Sequence, residues 1–171
     1  MKKLLIFLLL LTLFGCNNII KNKQTSNNFN CPRIFFSSED RIFVDTVGDS
    51  SSFDDVSLKA KLNNFAIVEK CYQKGDIAII PLDILIVTQP MEKLENSDVS
   101  MPLYVILLGR ENQVLETQYF MVLGSIKKKF ETNDFIETDI IDKLNIVTKK
   151  LEVDQIVIGF MLNDKKRILL N

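Results

Sequence analysis

Four aspartates, Asp45, Asp49, Asp54 and Asp55, crowd one stretch of the chain, and Glu131, Asp134, Glu137, Asp139 and Asp142 crowd another. Carboxylate oxygens in a loop are what calcium takes as ligands, and two carboxyl groups about 5 to 10 Å apart can hydrolyse a glycosidic bond. The first run lacks the alternating acidic positions and central glycine of an EF-hand loop. The second has no aromatic platform and no accompanying motif beside it. Both read as solvated turns and surface, and they assign no metal ligand. Ser50-Ser51-Ser52 lacks the glycines of a nucleophile elbow. The chain has no histidine, which removes Ser-His-Asp and Cys-His arrangements and the usual zinc ligands together. It has no tryptophan either, so stacking on a sugar or choline would fall to Tyr or Phe. The residues therefore predict no catalytic group and no cofactor.

Lys127-Lys128-Lys129, Lys149-Lys150 and Lys165-Lys166-Arg167 would, if brought together, form a basic face toward lipid headgroups, peptidoglycan or lipopolysaccharide. As separate turns at strand ends they are ordinary solvated charge. With 21 basic and 22 acidic residues, the chain has no general reason to bind nucleic acid.

The first sixteen residues have a different chemistry. Lys2 and Lys3 precede an apolar run from Leu4 to Leu11, and Leu13-Phe14-Gly15-Cys16 follows. This layout resembles a bacterial lipoprotein export signal ending in a lipobox. The resemblance implies cleavage after Gly15 and a diacylglycerol on the Cys16 thiol, with a further acyl chain such as palmitate on the new amine. The run is shorter than the roughly 20 residues a membrane-spanning helix needs. Two or three acyl chains on one cysteine hold a protein far more firmly than one. Asn17 in place of an aspartate favours the outer membrane. Cleavage removes two of the 21 basic residues, Lys2 and Lys3, leaving 19 against 22 acidic ones.

Three units follow from this: a signal over 1–15, a lipidated and polar tether over 16–30, and a single domain over 31–171. The tether would reach about 20 Å on average and 45 to 50 Å at most. Cys31 and Cys71 remain as an even pair in an oxidising compartment, which points to a disulfide. Two buried free thiols are the alternative, and the spacing is not that of a Cys-x-x-Cys redox pair. A bridge closing about 40 residues would stabilise the fold by roughly 4 kcal/mol.

The elements that must position these residues read mainly as strands. Pro32 favours an extended start, and Ile34-Phe35-Phe36 suits a first strand. Asp45 to Asp55, with Gly48, reads as a loop. Val56, Leu58, Ala60 and Leu62 alternate with polar residues, Asn63-Asn64 bulges or breaks the run, and a second run, Phe65 to Tyr72, carries Cys71. After a turn at Lys74-Gly75-Asp76, Ile77 to Val87 is apolar on both faces, as a central strand is. Met91 to Ser100 reads as loop. Pro102 to Leu108 and Val114 to Leu123 flank Gly109 to Gln113 as a hairpin. Phe135 to Leu151 is ambiguous: Ile136, Ile140, Leu144 and Val147 have helical spacing, while the Ile and Thr content favours strand. Val153 to Leu162 is a last strand, and Asn163 to Arg167 a turn.

Seven or eight short strands and a cysteine pair predict an all-β fold, an antiparallel immunoglobulin-like β-sandwich with at most one helix, around 135–150; a small barrel is the second architecture. Lipobox Cys16, Cys31-Pro32 opening the domain, Cys71-Tyr72 at a strand end, and a hairpin with Tyr104-Val105 before its turn and Tyr119-Phe120 after it resemble a family of uncharacterised small alphaproteobacterial envelope lipoproteins. The resemblance spans roughly 31–125. It implies an envelope location, an Ig-like domain and a cysteine pair, and it implies no enzymatic activity.

The functional expectation is a non-enzymatic lipoprotein held at the membrane by its N-terminal lipid, facing the periplasm. Its domain would bind or support a protein or cell-wall component of the envelope. One alternative is a periplasmic β domain for a small or lipidic ligand, with an apolar cavity lined by inward Ile and Phe. A carboxylate-based hydrolase is the other.

Overall fold

The computed structural model describes residues 27–170. The expected signal with Gly15, the lipidation expected at Cys16 and most of the expected tether lie outside the described residues. Ten strands and one short helix follow in order: β1 (Asn27–Asn28), β2 (Arg33–Phe36), β3 (Ile42–Thr46), β4 (Val56–Ala66), β5 (Tyr72–Lys74), β6 (Ile77–Pro90), β7 (Asp98–Leu108), β8 (Val114–Ser125), β9 (Thr138–Thr148), β10 (Gln155–Phe160) and α1 (Asp164–Ile168).

β6 organises the first sheet. Its Ile80, Leu82, Ile84 and Ile86 share one face and are fully buried. Each such side chain contributes about 1.5 to 3 kcal/mol through burial. β4 and β5 pair along one edge of β6 and β9 along the other, giving the order β3-β4-β6-β9, with β5 and β1 continuing the lower end. The second sheet runs β2-β10-β7-β8, antiparallel except for β2 and β10. Met101, Leu103, Val105 and Leu107 of β7 and Ile156, Ile158 and Phe160 of β10 face the first sheet across one continuous core. Neither sheet closes into a barrel. The fold is an all-β sandwich, as the alternating sequence predicts.

The details differ from the sequence reading where pairing overrides local pattern. The stretch around 135–150, open between helix and strand in the sequence, is a strand: Thr138–Thr148 forms β9, paired with β6 over eleven residues from Ala78 to Thr88. The open second edge of β6 supplies a ladder that outweighs the helical spacing of four residues. Among the described residues the one α-helix lies at Asp164–Ile168, where a turn is expected; the Asn163 Oδ1 caps it by accepting from the Lys166 N–H at 2.9 Å. The run from Phe65 does not continue to Tyr72. β4 stops at Ala66, opposite Asp83, because β5 occupies the next stretch of that edge of β6. β3 has no counterpart in the sequence reading, and β7 starts at Asp98 rather than after Ser100. Asn27-Asn28, read as tether, pair with Gln73 and Tyr72. The Asn63-Asn64 irregularity and the 109–113 hairpin connection are where the sequence puts them.

The two ends of the sandwich carry different things. The lower end holds β1, the 109–113 turn and the Cys31–Cys71 disulfide, with Cα atoms 5.2 Å apart. The upper end holds the 47–55 and 126–137 loops and α1.

Candidate interaction surface

The outer face of the second sheet is built by register. Pairing aligns Phe35, Val157, Ile106 and Thr117 in one row across β2, β10, β7 and β8. The next row is Gly159, Tyr104 and Tyr119, followed by Pro102 beside Met121 and Ser100 beside Leu123. No charged side chain belongs to these rows. Charge lies around the rows, with Arg33 below, ion-paired to Asp154 at 2.5 Å, Asp98 above, and Asp40 with Arg167 where the Tyr104 ring ends. The Arg33 hydrogen bond holds the Asp154 carboxyl below its ordinary range. Tyr119, Met121 and Leu123 are 67, 55 and 70 % exposed, and Phe35 and Met161 are also exposed. An apolar centre with a polar rim is the composition of a protein-binding patch.

Tyr104 is fixed within this face. It stands opposite Gly159, where any Cβ would meet its ring. Its hydroxyl donates to the Asp40 Oδ2 at 2.8 Å. Asp40, only 6 % exposed, also faces the Arg167 guanidinium at 2.9 Å from α1. Burial raises the Tyr104 pKa, and the Asp40 carboxylate raises it further. The network joins the β2–β3 connection, β7 and α1 into one corner.

The outer face of the first sheet is mixed. Lys59 and Lys61 of β4, Asp83 of β6, and Asp139, Lys143 and Asn145 of β9 lie on it, with Asp83 directly across from Lys143 and the exposed Ile42, Ile141 and Val147 interspersed.

The residues singled out by the sequence fall in several places. Asp45 pairs with Lys166 at 2.6 Å, Asp49 with Lys165 at 2.5 Å and Asp55 with Lys93 at 2.6 Å. The acidic loop is thus distributed over three different lysines, and two of them hold α1 against it. Hydrogen bonds from Lys165 and Lys93 lower the pKa of Asp49 and Asp55. Ser50 donates to Asp55, and Ser52 caps the short turn Phe53–Asp55. Glu131 and Asp134 sit in the 126–137 loop, while Asp139 and Asp142 point to opposite faces of β9. The basic runs are not gathered: Lys127-Lys128-Lys129 and Lys165-Lys166-Arg167 are at the upper end and Lys149-Lys150 at the lower. Phe43 and Phe160 are core, their rings 5.4 Å apart. Phe35, Phe53 and Phe130 are exposed. A depression of about 530 Å³ lies at the lower end and is lined by Arg33, Arg110, Glu152 and Asp154 beside Cys31.

The apolar face is not among the sites that the sequence points to. Its signal was present: the hairpin strand Val114–Ser125 carries apolar residues on both alternations, with Glu116 its one charge. Comparison of the chain with protein families and curated proteins, and of its fold with solved structures, finds no match.

Proposed function

We propose that this chain is a lipid-anchored, non-catalytic binding module of the cell envelope. Cys16 carries the lipid, the polar segment after it is the tether, and the outer face of the second sheet takes a protein partner in the envelope. The observation that carries the reading is that face: four rows of side chains without a charge, centred on Tyr119, Met121 and Leu123, on a rigid sheet with charged rims. Burying apolar area is the main driving force of association, and a charge-free centre avoids the cost of desolvating ions. The anchor adds effective concentration, because confinement to a membrane surface raises the encounter rate with a neighbour held on the same surface. The outer membrane, facing the periplasm, is the favoured location from Asn17.

The test is photo-cross-linking in cells from the full-length chain, with the probe at Tyr119 on the apolar face or at Asn145 on the mixed one. A specific envelope protein captured from Tyr119 and not from Asn145 is the expected result. Equal, non-specific capture from both positions would remove the reading. Separately, Cys16→Ala releases the protein from membranes into the soluble periplasmic fraction; retention after a salt wash would refute the lipid anchor.

A further inference from the structure

Four strands end the main body of the two sheets, and three carry a device that blocks pairing with another chain. β2 is four residues long and begins with Arg33. β3 has five residues, a register shift at Asp45/Thr46, and α1 clipped beside it through Lys166 and Asp45. β9 carries Asp139, Asp142 and Lys143, and its Val147 carbonyl already accepts from the Gln118 Nε2 at 2.9 Å. Shortness, bulges, charges and covered backbone groups are how sheets avoid edge-to-edge association. β8 has none of these from Glu116 to Ser125. Its register with β7 is unbroken there, it pairs with no other strand among the described residues, and its single charged side chain, Glu116, turns inward to accept from the Thr148 hydroxyl.

The phase of the ladder fixes which backbone groups are open. The Ile126 N–H donates to the Ser97 carbonyl at 2.7 Å, so residues 124, 122, 120, 118 and 116 exchange hydrogen bonds with β7. The N–H and C=O groups of Thr117, Tyr119, Met121, Leu123 and Ser125 therefore point out of the edge. These five residues also present their side chains on the apolar outer face, and all are exposed.

We propose that β8 pairs antiparallel with β8 of a second copy of the chain, across a two-fold axis at Met121. The edge is self-complementary in that register. Met121 meets Met121 of the second copy, Tyr119 meets Leu123, and Thr117 meets Ser125. These are apolar with apolar and hydroxyl with hydroxyl, the cross-strand combinations that stabilise sheets. No like charges oppose each other, because the segment from Thr117 to Ser125 contains none. About ten backbone hydrogen bonds close between the strands, since each hydrogen-bonded pair exchanges two. The second sheets join into one of eight strands, and the two apolar faces become a single continuous surface. The inference stands on the edge alone and requires neither the lipid nor the partner proposed above.

The test uses the full chain in detergent. Met121→Cys treated with a short bis-maleimide gives a cross-linked dimer. Leu123→Cys alone does not, because in this register the two copies of residue 123 are separated by four residues of strand, about 14 Å. Mixing Tyr119→Cys with Leu123→Cys restores the dimer. Met121→Lys, which sets two ammonium groups on the axis, halves the mass measured by light scattering while the β-sheet circular dichroism is retained. A wild-type chain that is monomeric, a dimer mass that persists in Met121→Lys, or equal cross-linking from Leu123→Cys alone overturns the pairing. Cross-links from Met121→Cys to another envelope protein, with none between copies, overturn it too while leaving the tethered-binding reading in place. A dimer with no envelope partner captured from Tyr119 is the reverse case.

Discussion

β8 and β9 have nearly equal lengths, twelve and eleven residues, are joined by one loop and lie against each other at the same side of the sandwich. Their inner faces meet closely. Gly124 of β8 leaves room for the Ile140 side chain of β9, and Gln118 and Glu116 of β8 reach the Val147 carbonyl and the Thr148 hydroxyl of β9. Their outer faces diverge. β9 shows Asp139, Lys143 and Asn145 with Ile141 and Val147 among them, whereas β8 shows Tyr119, Met121 and Leu123 without a charge. Position at an edge therefore does not dictate polarity. What differs is that a β8 side chain covers one backbone group of β9, the Val147 carbonyl, while the Thr148 hydroxyl of β9 reaches only the Glu116 side chain and leaves the β8 backbone open.

The contrast between the strands can be tested from its core outward. Leu144→Ala on the buried face of β9 should cost about 3 kcal/mol, the ordinary price of a core cavity, whereas Ile141→Ala on its open face should stay within about 0.5 kcal/mol. Urea unfolding reads both; similar losses would mean that β9 is not one-sided. Next in size is the close approach. Gly124→Val should cost about 1 to 3 kcal/mol by overpacking against Ile140, and adding Ile140→Ala should recover part of the loss in a double-mutant cycle. Strict additivity of the two changes would show that the strands do not meet there.

In the corner beside α1, Tyr104→Phe should cost about 1 to 2 kcal/mol, because Asp40 loses a donor in a buried setting. The pH dependence has a definite sign. Burial, and then Asp40, raises the folded pKa of Tyr104 above its ordinary value of 10.0, so its stabilising contribution is full below that value and is lost as pH rises through the folded one. Wild type should lose stability on alkaline titration beyond pH 10.0 more steeply than Tyr104→Phe, as thermal melts would record. Parallel melts would remove the role given to burial of the phenol. Smallest is Gln118→Ala, which uncovers one carbonyl of β9 and should cost about 0.5 to 1 kcal/mol. No change beyond measurement error would mean that solvent replaces the amide without loss.

Much of the fold was legible because alternation reports burial directly. The run from Val56 to Leu62, the two-sided Ile77 to Val87 and the hairpin around 109–113 each carry their pairing in their own residues. β9 was ambiguous for a physical reason: Ile140, Leu144 and Val147 suit a helical face as well as a strand, and only the unfilled edge of β6 decides between them. β3 was missed because its five residues sit between charged neighbours, and its burial depends on Phe160 and on Leu169, both far along the chain. The apolar face was hidden in a similar way. Phe35, Val157, Ile106 and Tyr119 are ordinary strand residues singly, and only the register of four strands makes them a surface. The acidic and basic runs were legible as charge, but their mutual pairing through α1 was not.

The disulfide has a mechanical consequence. A pull on the chain upstream of Asn27 first meets the two-residue pairing of β1, which can peel one bond at a time. It then reaches Cys31, where the covalent link to Cys71 divides the load. Part of it passes through Tyr72–Lys74 into β6, the strand hydrogen-bonded on both sides, rather than entirely through the short edge strand β2. The sandwich is thus gripped near its centre, so tension from that side strains the best-supported ladder in the molecule instead of unravelling its weakest edge.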